Sequence, residues 1–254
     1  MDIKTFDRVE KKYLITEENY QVLLKSIKKQ MKKDAYHKST VFNIYFDTDN
    51  FDYIIESIEH PSFKEKLRAR SYGGYDKVFL EIKTKILGRS LDPILYDEFS
   101  GRDNNLGYKR RVLITHKDFN ELIAGKKSCV DLASRKVEQP TDLQIASEVD
   151  YYITTKNLKP KILVYYDRES FISDDGLRVT FDRNLKYRDK NLKFNERARD
   201  PVYFDDNKNI IMEIKARGSI PLWLVKNLSS EHLYPQRFSK IGNIYNKIRK
   251  EKNV

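Results

Sequence analysis

Hydrophobic and polar positions alternate along much of this chain, and changes in their period mark its elements. Period-two patterning puts side chains two apart on one face of a strand. Strand candidates, alternating or continuously apolar, are Ile3–Ile15, Thr40–Asp47, Phe63–Tyr72, Lys77–Leu87, Tyr108–Ile114, Lys161–Phe171, Leu177–Phe181 and Ile210–Arg217. Tyr20, Leu23, Leu24, Ile27 and Met31 recur instead at helical spacing. Thr16 caps that helix, Glu17 and Glu18 favour its first turn, and it extends to about Lys33. Shorter helices are predicted over Phe51–Ile58, from Thr115 to a stop at Gly125, and from Pro140 to about Ile153. Two more cover Pro221–Leu228 and Phe238–Lys250, the second with Phe238, Ile241, Ile244, Tyr245 and Ile248 on one face. Gly73-Gly74 turns a hairpin. Gly88–Gly107 is irregular, with one further edge strand around Ile94–Phe99, and the densely charged Asp182–Asn209 reads as a mobile loop. No repeat or composition break divides the chain. Residues 1–254 therefore predict one α+β domain with at least eight mostly antiparallel strands.

The polar faces of these strands are unusual because they are cationic. Arg68 shares a face with Arg70, Lys83 with Lys85, Lys109 with Arg111, and Lys215 with Arg217. A core cannot take such faces, since unpaired buried cations are costly. Four cations on one hairpin repel unless interleaved acids or bound phosphates compensate, and Glu81, in phase with Lys83, supplies part of that compensation. Glu213 heads the row Glu213, Lys215, Arg217, and Glu10 is in phase with Lys12. A carboxylate within a cationic face is either a ligand for a hard ion such as Mn2+ or Mg2+ or one half of a structural ion pair. Asp182, in phase with Arg178 and Thr180, has the same two readings.

Charge supports an anionic partner: 49 Lys and Arg against 38 Asp and Glu give +11 over 254 residues. The single cysteine, Cys129, excludes an intramolecular disulfide and lies in a polar loop as an exposed or half-buried thiol. The four histidines are scattered and read as surface residues. Glycine-rich phosphate loops of either common pattern are absent, so side chains would hold phosphate. With no signal-like start and no apolar run approaching a membrane span of about 20 residues, a soluble cytoplasmic protein is expected.

Ordered motifs extend this reading. They are Val9-Glu10-Lys11-Lys12-Tyr13, Ile44-Tyr45-Phe46-Asp47, Lys66-Leu67-Arg68-Ala69-Arg70-Ser71-Tyr72-Gly73 and Phe79-Leu80-Glu81-Ile82-Lys83. Lys109-Arg110-Arg111-Val112, Tyr166-Asp167-Arg168 and Leu177-Arg178-Val179-Thr180-Phe181-Asp182 follow, then Met212-Glu213-Ile214-Lys215 and Phe238-Ser239-Lys240. Together they resemble the VTC domain, the catalytic module of vacuolar transporter chaperone polyphosphate polymerases, in the CYTH-like superfamily of triphosphate tunnel metalloenzymes. The resemblance implies a closed antiparallel β-barrel of about eight strands, a tunnel with helices packed outside. By motif match, Lys12, Arg68, Arg70, Lys83, Lys109, Arg111, Arg168, Arg178, Lys215 and Lys240 would be catalytic tunnel cations, and Glu213 the metal ligand. Arg237, Lys85, Arg217 and Glu10 would assist substrate binding.

The implied reaction grows inorganic polyphosphate from ATP with Mn2+ or Mg2+. Nucleic acid is not an expected partner, because a narrow tunnel admits a thin chain but no duplex. Two alternatives stand: a triphosphate hydrolase with Glu10, Glu81, Asp182 and Glu213 around two metals, and a binding module without chemistry. Superfamily hydrolases often begin Glu-x-Glu-x-Lys, whereas Arg8 stands first here, which weakens the hydrolase. The chain carries neither the SPX sensor nor the membrane helices of the eukaryotic polymerases, so membrane passage would need a partner protein.

Overall fold

A computed structural model describes residues 8–59, 63–73, 75–86, 106–134, 140–204 and 210–252. Eight strands and seven helices are present among them. The strands are β1 (Arg8–Ile15), β2 (Lys32–Asp47), β3 (Phe63–Tyr72), β4 (Val78–Ile86), β5 (Leu106–Ile114), β6 (Lys159–Ile172), β7 (Arg178–Arg188) and β8 (Ile210–Arg217). The helices are α1 (Glu17–Gln30), α2 (Asp52–Glu59), α3 (His116–Ile123), α4 (Cys129–Ala133), α5 (Pro140–Thr154), α6 (Leu222–Ser230) and α7 (Lys240–Lys252). The hydrogen-bonded strand order is β1-β8-β7-β6-β2-β3-β4-β5. The α+β class and eight-stranded antiparallel sheet agree with the sequence. The expected closed barrel does not appear in the hydrogen bonding of the described residues, where β1 and β5 end the order. The strand expected around Ile94–Phe99 and the turn at Gly74 lie outside the described residues.

The chain divides into two compact units, each assembled from separate segments, with β2 and β6 contributing to both. In the first unit (residues 1–41, 165–187 and 196–239), α1 packs on strands β1, β8 and β7. Thr16 caps α1 by accepting the Asn19 N–H, as its sequence signature requires. The α1 residues Tyr20, Leu23, Leu24 and Ile27 meet Tyr13, Ile15, Val179, Phe181, Met212 and Ile214. Each such aliphatic side chain contributes roughly 1.5–3 kcal/mol by leaving water. Because Tyr13 and Ile15 face this core, Lys12 and Glu10 must face away from it. The edge of β1 is partly covered: the Gln236 N–H donates to the Lys12 carbonyl at 2.7 Å, and Lys12 Nζ donates to the Phe238 carbonyl at 3.1 Å.

In the second unit (residues 42–164, 188–195 and 240–254), β3, β4 and β5 form an antiparallel meander. Leu67, Ala69, Leu80, Ile82, Val112 and Ile114 supply its buried face. Asp47, fully buried at the end of β2, starts α2 by accepting the N–H groups of Tyr53 and Ile54 at 3.0 and 2.9 Å. Burial raises its carboxyl pKa against those hydrogen bonds. Gly125 closes α3 with φ of +66°, a left-handed conformation that glycine adopts without strain.

Three expectations fail for physical reasons. Asp182–Asn209 is not a loop from its start, because β7 continues to Arg188, whose buried guanidinium binds the carbonyls of Asn191, Lys193 and Asn195. Backbone pairing of Tyr203 with Leu185 then secures the return segment in the first unit. The polar stretch around Cys129 is a helix: Ser128 caps α4, and Asp150 accepts the amides of Cys129 and Val130 at 2.6 and 3.0 Å. Cys129 is completely buried, and burial beside Asp150 pushes its thiol up to about 12, so it is inert rather than exposed. Nor are all the histidines surface groups. His37 is partly buried, with Nδ1 2.9 Å from the Ser170 carbonyl and Nε2 3.2 Å from Glu169, while His116 stacks on Phe194.

Candidate functional site

In the second unit, strand register assembles the charged face. Arg68, Glu81 and Arg111 lie opposite one another across β3, β4 and β5, and Lys66, Lys83 and Lys109 form the adjacent row. Glu81 is buried, with 1% of its surface exposed, and acts as a shared counter-ion. Its Oε2 accepts from Arg68 Nε and Nη2 at 2.8 and 2.7 Å, and Oε1 lies 2.5 Å from Lys109 Nζ. Arg70 Nε lies 3.8 Å from Oε2 and donates to Asn43 Oδ1 at 2.9 Å. Burial alone would raise the Glu81 carboxyl; the charges of Arg68, Arg70 and Lys109 outweigh it and hold the pKa down at about 2. Lys109 is lowered, first by desolvation and also by the neighbouring arginines. The compensation expected of Glu81 is therefore present, and it fixes three cations while leaving the face positive. Lys83 is exposed on this face and Lys85 half-buried.

In the first unit, Thr180, Glu213 and Lys12 lie opposite one another across β7, β8 and β1, followed by Arg178, Lys215 and Glu10. Glu213 is nearly buried and pairs with Lys215 Nζ at 2.7 Å. Glu10, more exposed, lies 3.7 Å from both Lys12 and Lys215. Arg168 makes a two-pronged ion pair with fully buried Asp182, at 2.6 and 2.7 Å, and its guanidinium lies over Tyr166. Desolvation would lower the Arg168 pKa, but Asp182 carries it upward. Arg178 pairs with Asp34 at 2.7 Å, while its buried Nε has no hydrogen-bond partner. Arg217 is exposed beside the turn at Gly176, where an added Cβ would meet its Nε at 3.2 Å. Arg237 is exposed in the segment after α6, also in the first unit. Lys240, at the start of α7, belongs to the second unit.

This geometry separates the acidic candidates. Asp182 and Glu81 are held by arginines. Glu213 stands opposite Thr180, whose hydroxyl oxygen is buried without a hydrogen-bond partner. A carboxylate and an orphaned hydroxyl are hard oxygen donors suited to Mg2+ or Mn2+. Among the described residues, no three His, Cys, Asp or Glu side chains gather as a metal cage. Glu213 and Thr180 are thus donors of the kind a hard divalent cation takes, although Glu213 is paired with Lys215.

Thr180, Asn43 and Asp34 were missed in reading the sequence. Asn43 had a signal: one amide within the apolar run Val41-Phe42-Asn43-Ile44 must find partners when buried, and it bonds Arg70 and the Val164 carbonyl.

Cationic rows of this kind, carried by an eight-stranded antiparallel sheet, define a class of basic-faced α+β proteins. Residues 7–248 match the VTC domain, and the chain belongs to that family. Over 160 residues it is 25% identical to vacuolar transporter chaperone complex subunit 4 of Schizosaccharomyces pombe, a span covering 61% of this chain and 21% of that protein. The matched span is thus about a fifth of that relative. A solved protein from Hippeastrum, described as an adenylyl cyclase with a dominant triphosphatase activity, aligns with a TM-score of 0.56. It is 15% identical, over 94% of this chain and 96% of that one, a likeness of fold. No helix among the described residues is long and apolar enough to cross a membrane.

Proposed function

We infer that this chain is an ATP-polyphosphate phosphotransferase, adding the terminal phosphoryl group of ATP to a growing polyphosphate chain. The observation that carries this reading is Glu81: a buried carboxylate that organises cations without cancelling them leaves a rigid positive face suited to a polyanion. Membership of the VTC family supports it. Phosphoryl transfer asks the protein mainly for positioning and charge stabilisation. Arg68, Arg70, Lys109 and Arg111 in the second unit would orient phosphates, and so would Lys12, Arg178 and Lys215 in the first. The attacking terminal phosphate is already ionised at neutral pH, so no histidine base is required. Glu213 with Thr180 would hold Mn2+ or Mg2+, which supplies charge neutralisation on phosphate oxygens. Arg168, fixed on Asp182, would act more by holding β6 to β7 than by contacting substrate.

The closed tunnel, the unity of residues 1–254 as one functional domain, the cytoplasmic setting and a membrane partner belong to this reading. A triphosphate hydrolase is disfavoured because Glu81 and Asp182 are engaged by arginines. The deciding experiment incubates the protein with ATP and Mn2+, with and without a short primer, and reads polymer on gels alongside free phosphate. An acid-stable ladder is expected. Free phosphate without polymer would establish the hydrolase, and neither product would leave a binding module. Glu213→Gln should abolish turnover while metal-free polyphosphate binding persists; retained turnover would overturn the metal assignment.

A further inference from the structure

The cationic face of the second unit ends in a row of different chemistry. Two residues beyond the Arg68–Glu81–Arg111 row, about 7 Å along the strands, Arg70, Phe79 and Leu113 lie opposite one another. Tyr72 continues the same face of β3 and meets the Phe79 ring edge-on, with centroids 6.3 Å apart. Leu113 is 39% exposed, although the other face of β5 buries Val112 and Ile114. The Arg111 guanidinium lies over Phe79, its central carbon 4.8 Å from the ring centroid. Arg111 is itself exposed and makes no hydrogen bond or ion pair among the described residues. Every other arginine of this face is directed by Glu81 or Asn43; Arg111 is directed by an aromatic ring.

We propose that Arg111, Phe79, Leu113 and Tyr72 form a stacking shelf for the base of a nucleoside triphosphate whose phosphates lie on Arg68, Arg70 and Lys109. A polyphosphate chain has no use for an exposed leucine and an aromatic ring. A nucleotide does, since its base is flat and apolar on both faces and covalently tied to the anion that the next rows attract. A guanidinium held over a ring can offer its other side to a base, and such stacking tolerates any base. The proposal rests on the phosphate-binding reading above and deepens it: the shelf would favour a nucleoside triphosphate over bare tripolyphosphate as donor. It also reassigns Arg111 from the phosphates to the base.

Titration calorimetry of the whole chain without metal, using ATP and tripolyphosphate in parallel, tests this. Phe79→Ala should weaken ATP binding about tenfold and change tripolyphosphate affinity less than twofold. Leu113→Trp, which adds a ring at an exposed position, should tighten ATP several-fold and again leave tripolyphosphate alone. Parallel changes for both ligands would overturn the shelf, showing that Phe79 acts only on the cations, and so would unchanged ATP affinity in both variants. If the unaltered chain binds neither ligand, the phosphate-binding reading itself falls and takes the shelf with it. A shelf failure with intact tripolyphosphate binding leaves that reading standing.

Discussion

On the β3–β4–β5 face one buried carboxylate, Glu81, sits among three cations; on the β7–β8–β1 face the acids are dispersed. There Asp182 belongs to Arg168, Glu213 to Lys215, and Glu10 hovers 3.7 Å from two lysines. The first arrangement is a fixed electrostatic frame, in which the acid is inaccessible and its charge is part of the fold. The second pairs nearly buried Glu213 with Lys215, a single lysine where Glu81 has two arginines and a lysine around it. The difference teaches that acidic residues in phase with cations on a strand need not share a role. The cations that surround each carboxylate, two arginines and a lysine at Glu81 and Lys215 at Glu213, set the difference.

The sharpest way to break this contrast is to remove each acid's charge. Glu81→Gln and Asp182→Asn should each cost about 3–5 kcal/mol of stability, because buried cations lose their partner. Glu213→Gln should cost less, about 1–2 kcal/mol, because the lysine it leaves is partly exposed and can turn to water. Denaturant unfolding of the three variants checks the order, and a similar loss in all three would erase the distinction.

A somewhat smaller effect concerns acid. Glu81 ionises at about 2 in the folded chain against an ordinary 4.5, so its contribution is complete above pH 4.5 and lost as pH falls toward 2. The loss should approach roughly 3 kcal/mol. Stability followed from pH 5 to 2 should drop less steeply in Glu81→Gln than in the unaltered chain, and parallel curves would contradict the depressed pKa.

The smallest effect is at Thr180. Replacing a buried, unpartnered hydroxyl with a methyl group should stabilise the metal-free chain by about 1 kcal/mol. If the hydroxyl faces the cation beside Glu213, Thr180→Val should also weaken Mn2+ binding, read by loss of the free-ion electron spin resonance signal. Destabilisation instead would mean that the hydroxyl has a partner.

Much of this was legible in the sequence because strand parity is strict. Arg68 with Arg70, and Glu213 with Lys215, fell on common faces from alternation alone, and the caps Thr16 and Thr115 opened their helices as expected. What was not legible depends on contacts distant along the chain. Cys129 is buried because Asp150, from another helix, anchors α4 beneath it. Lys109 and Arg70 find Glu81 only once three strands are in register. Phe79 has no role in the sequence pattern beyond its motif, and only its position beside exposed Leu113 and under Arg111 distinguishes it. Closure of the sheet is a property of register and twist that no local pattern encodes.

The pairing of β1 with β8 has a consequence for how this chain comes into being. The first described strand finds its hydrogen-bonding partner only near the other end of the sequence, with Lys12 facing Glu213. During synthesis, β1 must therefore wait unpaired while the roughly 200 residues between it and β8 emerge. The β3–β4–β5 meander, whose partners are close in sequence, can assemble early. Such long-range pairing slows folding relative to local hairpins. Until residues 210–217 are available, the β8-facing edge of β1 has no strand to pair with.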